Sequence, residues 1–424
     1  MTVSVEEFAA DAAHWLAAHG ERLGQDTSDD VNGHEVVWGH GHMNVAVFHA
    51  LSFDDERALL ADAQRWRMLK ATRGYHAITE TPAVGGLGLT KEHARAFAVL
   101  ERGYRVPPSH ESFSVTTDLI SPTVAVFGSP QQQSQFVGAF LAAEQLCCQL
   151  FSEPGAGSDL AGLACRADRH EDEWIVNGQK VWSSGAQFSE WGLLITRSDP
   201  SAPKHKGMTA FLIPMDLPGV EIRPIRQMSG GSSFNEVFFQ DCRIADSMRL
   251  GAVGEGWKVA VTTLGFERDH SDPTGAAGGD RPGGRWSHLL ATARAMGVTN
   301  DAGMRQDLIK VFIHKRVEAL LNQRAADLAR GGTPGPEGSL GKLMWTEGMT
   351  TMSRVVTRIL GPNLTADTGA WGTWEWGEHV LGAPGYRIAG GSDEVQRNII
   401  GERVLGLPME PRPDKTIPWS ELPR

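Results

Sequence analysis

Residues Phe151–Asp159 read FSEPGAGSD. A proline and two glycines within this stretch force a tight loop, while its serines and aspartate leave hydrogen-bonding groups on the outside. Such a loop brings backbone N–H groups close to a polar ring or a phosphate. Taken alone, it fits a plain turn between helix and strand equally well. Its neighbour adds information: NGQKVWSSGA, Asn177–Ala186, reads as a strand that delivers one aromatic residue followed by two hydroxyls. Those groups suit the covering of a flat heteroaromatic ring and hydrogen bonds to its edge. The alternative is that Trp182 is a core tryptophan.

Outward from this pair, the text from Leu146 is a block of short β-rich runs: QLFS, EWIVNG, WGLLITR, MTAFLIPM, VEIRPI and NEVFFQDCRI, several bounded by Gly, Pro, Asn or Asp. Before it, apolar residues recur at helical spacing in Val5–Ala18, Phe53–Leu69 and Glu92–Leu100. After Gly254 the helical period returns, with Trp257, Ala260, Val261 and Leu264 on one expected face and longer helices over Arg305–Arg330 and Ser339–Leu360. Ser271–Gly284, SDPTGAAGGDRPGG, reads as a loop. Helices, then sheet, then helices, with no internal repeat, predict an α+β architecture and three domains over 1–145, 146–252 and 253–424.

Composition narrows the function. A formal charge of -11 over 424 residues gives no basic stripe for nucleic-acid phosphates. No run approaches the roughly 18 to 20 apolar residues of a membrane-spanning helix, and the acidic start MTVSVEEFAADAAHW resembles no leader. A soluble, cytoplasmic protein is expected. Four cysteines, Cys147, Cys148, Cys165 and Cys242, form neither a C-x-x-C pair nor a zinc spacing and read as buried thiols. His34, His40, His42 and His49 lack Cys or carboxylate companions at metal spacing, so no metal is expected.

FSEPGAGSD and NGQKVWSSGA together are similar to the two flavin-contacting signatures of the acyl-CoA dehydrogenase family. The resemblance continues through SEWGLLITRSDP, HKGMTAFLIPMDLPGVEIRP, FNEVFFQDCRI and GGSDEVQRNIIGERVLGLP. It implies a helical N-terminal domain, a middle β-barrel and a C-terminal four-helix bundle. It also implies FAD as cofactor, an acyl-CoA substrate, a homodimer or homotetramer, and an electron-transferring flavoprotein as acceptor. By position, Phe151, Ser152, Gly157, Trp182 and Ser184 fall among the flavin contacts, and Ser158 falls where the family meets the pantetheine arm. Gly391, Ser392 and Glu394 fall where it meets the flavin and its diphosphate. Ser392 and Asp393 replace the usual threonine and serine. Arg294 lies near, but offset from, the arginine that a neighbouring subunit lends to the diphosphate.

Dehydrogenation next to a thioester needs a carboxylate base, a hydride acceptor and donors for the thioester oxygen. The family places its glutamate at one of two positions. The commoner one here holds Gly390, which cannot take a proton; the other, used by isovaleryl-CoA and long-chain dehydrogenases, holds Glu267 in TTLGFERD. Three residues beyond Leu264, Glu267 continues the expected apolar stripe, where burial would raise its pKa toward neutrality. The alternative is a surface pair of Glu267 with Arg268. The resemblance gives Arg268 an orienting role and leaves the Gly390 N–H as a donor to the thioester oxygen. Lys204, His205 and Lys206 fit either a CoA phosphate contact or a solvated turn, and the tail after Leu407 is expected to carry no chemistry. Two rival functions are a non-catalytic partner subunit of a heteromeric dehydrogenase and an oxygen-using oxidase or monooxygenase on the same fold.

Overall fold

The computed structural model describes residues 3–23, 43, 45–108, 110–268, 283–329, 335–366, 369 and 372–422, with the backbone alone at 267, 268, 329 and 413. His34, His40, His42 and positions 271–282 of the expected loop lie outside the described residues.

Helix α1 (Val5–His19) starts at a capping box: Ser4 accepts from the Glu7 N–H and the Glu7 carboxylate reaches back to Ser4. Its buried Phe8, Ala12, Trp15 and Leu16 share one face and pack with Tyr75 and with Phe97 of α3 (Lys91–Glu101). Between them, α2 (Phe53–Ala71) is capped by Ser52. A small antiparallel pair, β1 (Glu21–Arg22) with β2 (Tyr104–Arg105), joins the two ends of this helical layer. Next come α4 (Glu111–Ser114), a π-helical stretch over Val115–Ile120 and α5 (Ser121–Phe127), then the short α6 (Pro130–Gln132) and α7 (Gly138–Ala142).

The chain then enters an eight-stranded sheet: β3 (Cys147–Leu150), β4 (Arg166–His170), β5 (Glu173–Ser184), β6 (Trp191–Arg197), β7 (Met208–Pro214), β8 (Val220–Ile225), β9 (Phe234–Ala245) and β10 (Arg249–Leu250). The order is β10-β7-β6-β4-β5-β9-β8. β6 pairs in parallel with β3 over Trp191–Leu194 and meets β4 only at Arg197. β6 and β7 are buried along almost their whole length, which is why they read as unbroken apolar runs. All four cysteines are buried free thiols, as expected.

Helix α8 (Gly256–Arg268) leaves the sheet and packs on α5, where the Thr263 and Thr123 hydroxyls lie 2.9 Å apart. Four further helices, α9 (Trp286–Ala295), α10 (Ala302–Ala329), α11 (Gly338–Leu360) and α12 (Thr373–Tyr386), enclose a core that includes Leu308, Val311, Met352, Val356 and Trp376. The short α13 (Asp393–Ile399) follows. Met43 and Val45 are fully buried in this C-terminal core, although they precede every helix of it by more than two hundred residues. Among the described residues, no helix is long and apolar enough to cross a membrane.

Candidate active site

The FSEPGAGSD loop is closed by reciprocal backbone bonds between Glu153 and Ala156, 2.9 and 3.0 Å. Inside it, the Glu153 carboxylate accepts from the N–H groups of Ala164 and Cys165 and from Lys180 Nζ at 2.8 Å. Lys180, fully buried on β5, donates also to the Phe151 carbonyl at 2.9 Å. The loop's shape thus depends on a buried ion pair between residues 27 apart. The chemistry-bearing faces are left open: a Cβ on Gly155 or Gly157 would meet nothing within 4 Å.

The Val181 N–H donates to the Ser152 carbonyl at 2.9 Å, so the first loop abuts β5 immediately before Trp182. There the β5–β9 register slips between Lys180 and Ser183, and Trp182 takes a positive φ of 62°. Trp182 is not a core tryptophan: its side chain is 59% exposed, with Phe234 edge-on at 6.0 Å. One residue beyond Ser184, Gly185 has φ 63°, and a Cβ there would stand 2.0 Å from Ser112 Oγ. The absent side chain lets α4 approach the strand, and Ser184 Oγ donates to Glu111 at 3.2 Å. Glu111 is packed around by protein yet still reached by solvent; burial pushes its carboxyl above the ordinary range, against the lowering effect of the Ser184 hydrogen bond.

A chain of aromatic contacts leads from Trp182 to the C-terminal signature: Phe234 meets Phe48 at 5.5 Å, Phe48 stacks on Tyr386 at 5.1 Å, and Tyr386 meets Trp345 at 4.6 Å. Lys342 Nζ then donates to the carbonyls of Tyr386 and Gly391, both at 2.8 Å. Gly390 and Gly391 have φ of 65° and 84°. Ser392 caps α13, its hydroxyl accepting from the Val395 N–H. Asp393 is buried and accepts from Thr346 Oγ1 and Arg387 Nε, which pins the signature to α11 and α12. The Glu394 side chain is 77% exposed and faces Arg397 at 3.9 Å. Phe151 is buried, Ser152 half-buried, and Gly157 and Ser158 are exposed.

The expected face of α8 needs correction. Val259, Ala260 and Thr263 are fully buried, whereas Val261 is 41% exposed beside Trp257 in an open cavity. The helix packs through the Thr263–Thr123 hydroxyl pair, a polar contact that apolar periodicity does not register. Position 267 still follows a buried position, one turn after Thr263. The side chains of Glu267 and Arg268 lie outside the described residues.

His49 is not an isolated loop histidine. His49 Nε2 lies 3.0 Å and His110 Nε2 2.9 Å from one oxygen of Glu56. Burial pushes the Glu56 carboxyl up, but the hydrogen bonds from His110 and His49 outweigh it and hold the group at about 2. The Ser112 N–H donates to His110 Nδ1, which places the ring proton on Nε2 facing Glu56. The trio therefore reads as a hydrogen-bonded network: a metal would need the lone pair that this tautomer lacks. Sequence spacing could not find it, because Glu56 stands on α2 and His110 caps α4, 54 residues away.

With this geometry in view, comparison with known proteins is direct. Residues 148–242 match the acyl-CoA dehydrogenase middle-domain family and residues 254–405 the acyl-CoA dehydrogenase C-terminal-domain family. The chain is 34% identical over 408 residues to the acyl-CoA dehydrogenase IpdE1 of Mycobacterium tuberculosis, covering 96% of this chain and 98% of that one. The chain belongs to the acyl-CoA dehydrogenase family. Members of that family are FAD-dependent oxidoreductases, and the expected fold of helical N-terminus, β middle domain and helical C-terminal domain is the one observed. A 290-residue stretch is 39% identical to the acyl-CoA dehydrogenase FadE34 of the same organism, covering 68% of this chain and 39% of that one. Among solved structures, the Tcur3481-Tcur3483 steroid ACAD superposes with a TM-score of 0.71 at 24% identity, over 96% of this chain and 98% of that one. The ChsE4-ChsE5 complex from Mycobacterium tuberculosis gives 0.67 at 24%, over 97% and 100%.

Sequence reading missed Glu153 and Lys180 as the brace of the first loop, Glu111 as the partner of Ser184, and Asp393 as the anchor of the second glycine signature. The first pair left a signal: a charged residue inside a glycine loop and a lysine directly before the apolar Val181–Trp182 pair of a central strand both call for a partner.

Proposed function

We propose that this chain dehydrogenates an acyl-CoA thioester to the trans-2-enoyl-CoA, with Glu267 removing the α-proton. Bound FAD would supply the hydride acceptor. The observation that carries the reading is Trp182: a large aromatic held at positive φ and left 59% exposed, next to Ser184 and braced against Ser152. Backbone strain of this kind costs about 1–3 kcal/mol and persists where a ligand surface needs it. The open sides of Gly155 and Gly157 leave room for a flat polar ring.

In this reading Ser152 and Ser184 hydrogen-bond the ring, and Phe151, Gly157, Gly391, Ser392 and Glu394 complete the cofactor's surroundings. Ser158 meets the pantetheine arm. Gly390 offers no carboxylate, so the base is the glutamate that closes α8, oriented by Arg268, while the Gly390 N–H donates to the thioester oxygen. The proposed electron acceptor is an electron-transferring flavoprotein. The test is anaerobic addition of a panel of acyl-CoAs to the FAD-loaded protein: bleaching of the yellow flavin by at least one supports the reading, and no bleaching by any rejects it. Oxygen consumption during turnover would instead indicate an oxidase.

A second reading is a non-catalytic partner subunit of a heteromeric dehydrogenase, and one surface is open to either assembly. Ile309, Phe312, Ile313, Val317 and Leu320 form a stripe along α10, each 38% to 54% exposed. That stripe suits a helical partner, whether a second copy or a related chain. Solution mass of the purified chain alone distinguishes the two: a homodimer or homotetramer rejects an obligate heteromer.

A further inference from the structure

The tail after Leu407, expected to be without chemistry, folds back over the β domain. The Trp419 N–H donates to the Ala202 carbonyl at 3.0 Å and the Ser420 N–H to that of Pro200 at 3.0 Å. The Trp419 indole lies under the buried Arg197 guanidinium, 5.0 Å from its ring centre, and donates to the Gly162 carbonyl at 3.2 Å. Lys204 joins the layers by binding Asp159 of the first signature at 3.0 Å and Asp414 of the tail at 2.5 Å.

Where this segment crosses the start of α8, it walls a cavity of about 440 Å³. Lys206, Arg403, Arg412 and Lys415 line it, with His205 packed edge-on to Trp257 at 4.7 Å; among the described residues no carboxylate lines it. Four permanent cations line one cavity in a chain of net charge -11, and among the described residues only Arg412 of the four has a carboxylate partner. Arg412 is held in place by both oxygens of Glu402, at 2.8 and 3.1 Å. Among the described residues, Lys206, Arg403 and Lys415 have no carboxylate within ion-pair distance. Unpaired guanidinium and ammonium groups beside an indole recognise a phosphorylated purine: forks and point charges for the phosphates, a flat face for the base. Trp257 stands ten residues before position 267 on one helix, about 15 Å at 1.5 Å per residue. An extended pantetheine arm covers that span between a nucleotide and a thioester.

We propose that residues 408–422 form a substrate-binding strap, which sets Arg412 and Lys415 beside Arg403, Lys206 and Trp257 to hold the nucleotide phosphates of a coenzyme A thioester. The inference rests on the proposed acyl-CoA chemistry and deepens it, because it selects coenzyme A over a carrier-protein thioester. The strap also ties substrate to cofactor, since Lys204 links it to the first flavin signature.

The test uses the full chain with FAD, and adenosine 3′,5′-bisphosphate as the calorimetric probe. The wild type is expected to bind it, and Arg403→Ala with Lys415→Ala to weaken binding at least tenfold, with a shallower salt dependence. Neither residue has an ion-pair partner to lose, and the Arg403→Lys, Lys415→Arg pair should keep most of the affinity. In turnover the loss should fall on KM for the acyl-CoA rather than on kcat, and an acyl-N-acetylcysteamine thioester, which has no nucleotide, should show no comparable rise in KM. No binding by the wild type, or binding within twofold in the alanine pair, overturns the strap. So does a carrier-protein thioester outcompeting the coenzyme A ester. Bisphosphate binding without flavin bleaching by any acyl-CoA would reject the proposed function and leave the phosphate site standing; bleaching with no effect of the alanine pair would do the reverse.

Discussion

Replacing Lys180 by methionine tests the brace of the FSEPGAGSD loop, proposed to hold the flavin. Methionine fills much of the lysine's volume but cannot donate, so the fully buried site keeps its packing and loses bonds of 2.9 Å to the Phe151 carbonyl and 2.8 Å to the Glu153 carboxylate. Glu153 retains the N–H groups of Ala164 and Cys165, but its charge is left in a poorly solvated place without a cation. Breaking one half of a buried pair costs about 3–5 kcal/mol, and the retained backbone donors favour the lower end of that range. Adding Glu153→Gln removes the stranded charge, so the double variant should regain about 1–2 kcal/mol relative to Lys180→Met. Urea unfolding of the apo-protein measures this, and retained FAD after gel filtration reports the loop. A loss under about 1 kcal/mol in Lys180→Met, with stoichiometric FAD, would refute the reasoning.

Two further outcomes are expected. Glu56 is held at about 2 against an ordinary 4.5, so its ionised form contributes about 3 kcal/mol that is fully present above pH 4.5 and is lost as pH falls toward 2. The stability gap between wild type and Glu56→Gln, followed by urea unfolding, should therefore shrink with acidification; a gap constant across that window contradicts the assignment. Trp182→Gly relieves a positive φ at a largely exposed residue. The apo-protein should be unchanged or up to about 1 kcal/mol more stable, while FAD affinity drops at least tenfold; a destabilisation above about 2 kcal/mol would return Trp182 to the core.

Local chemistry made the first loop and the strand beside it legible: proline and glycine force the turn at Pro154–Gly157, and β-rich runs bounded by turn residues mark the sheet, while their link to a flavin came from the family resemblance. The order of helices, sheet and helices followed from the change of period at Leu146 and Gly254. Contacts between distant residues were not legible. Nothing near His49 and Glu56 announces His110, and nothing in Met43 or Val45 announces the C-terminal core they fill. The α8 face shifted because Thr263 is buried by a hydroxyl pair. The tail read as inert because its partners, Gly162, Arg197, Pro200, Ala202 and Lys204, are more than two hundred residues away in sequence.

The most direct test of the account is Glu267→Gln, loaded with FAD and mixed anaerobically with an acyl-CoA that reduces the wild type. Glutamine keeps the shape and cannot accept the α-proton. The account predicts a yellow protein that binds the thioester and does not bleach. Bleaching at the wild-type rate would place the base elsewhere and contradict the proposed chemistry, whatever the fold.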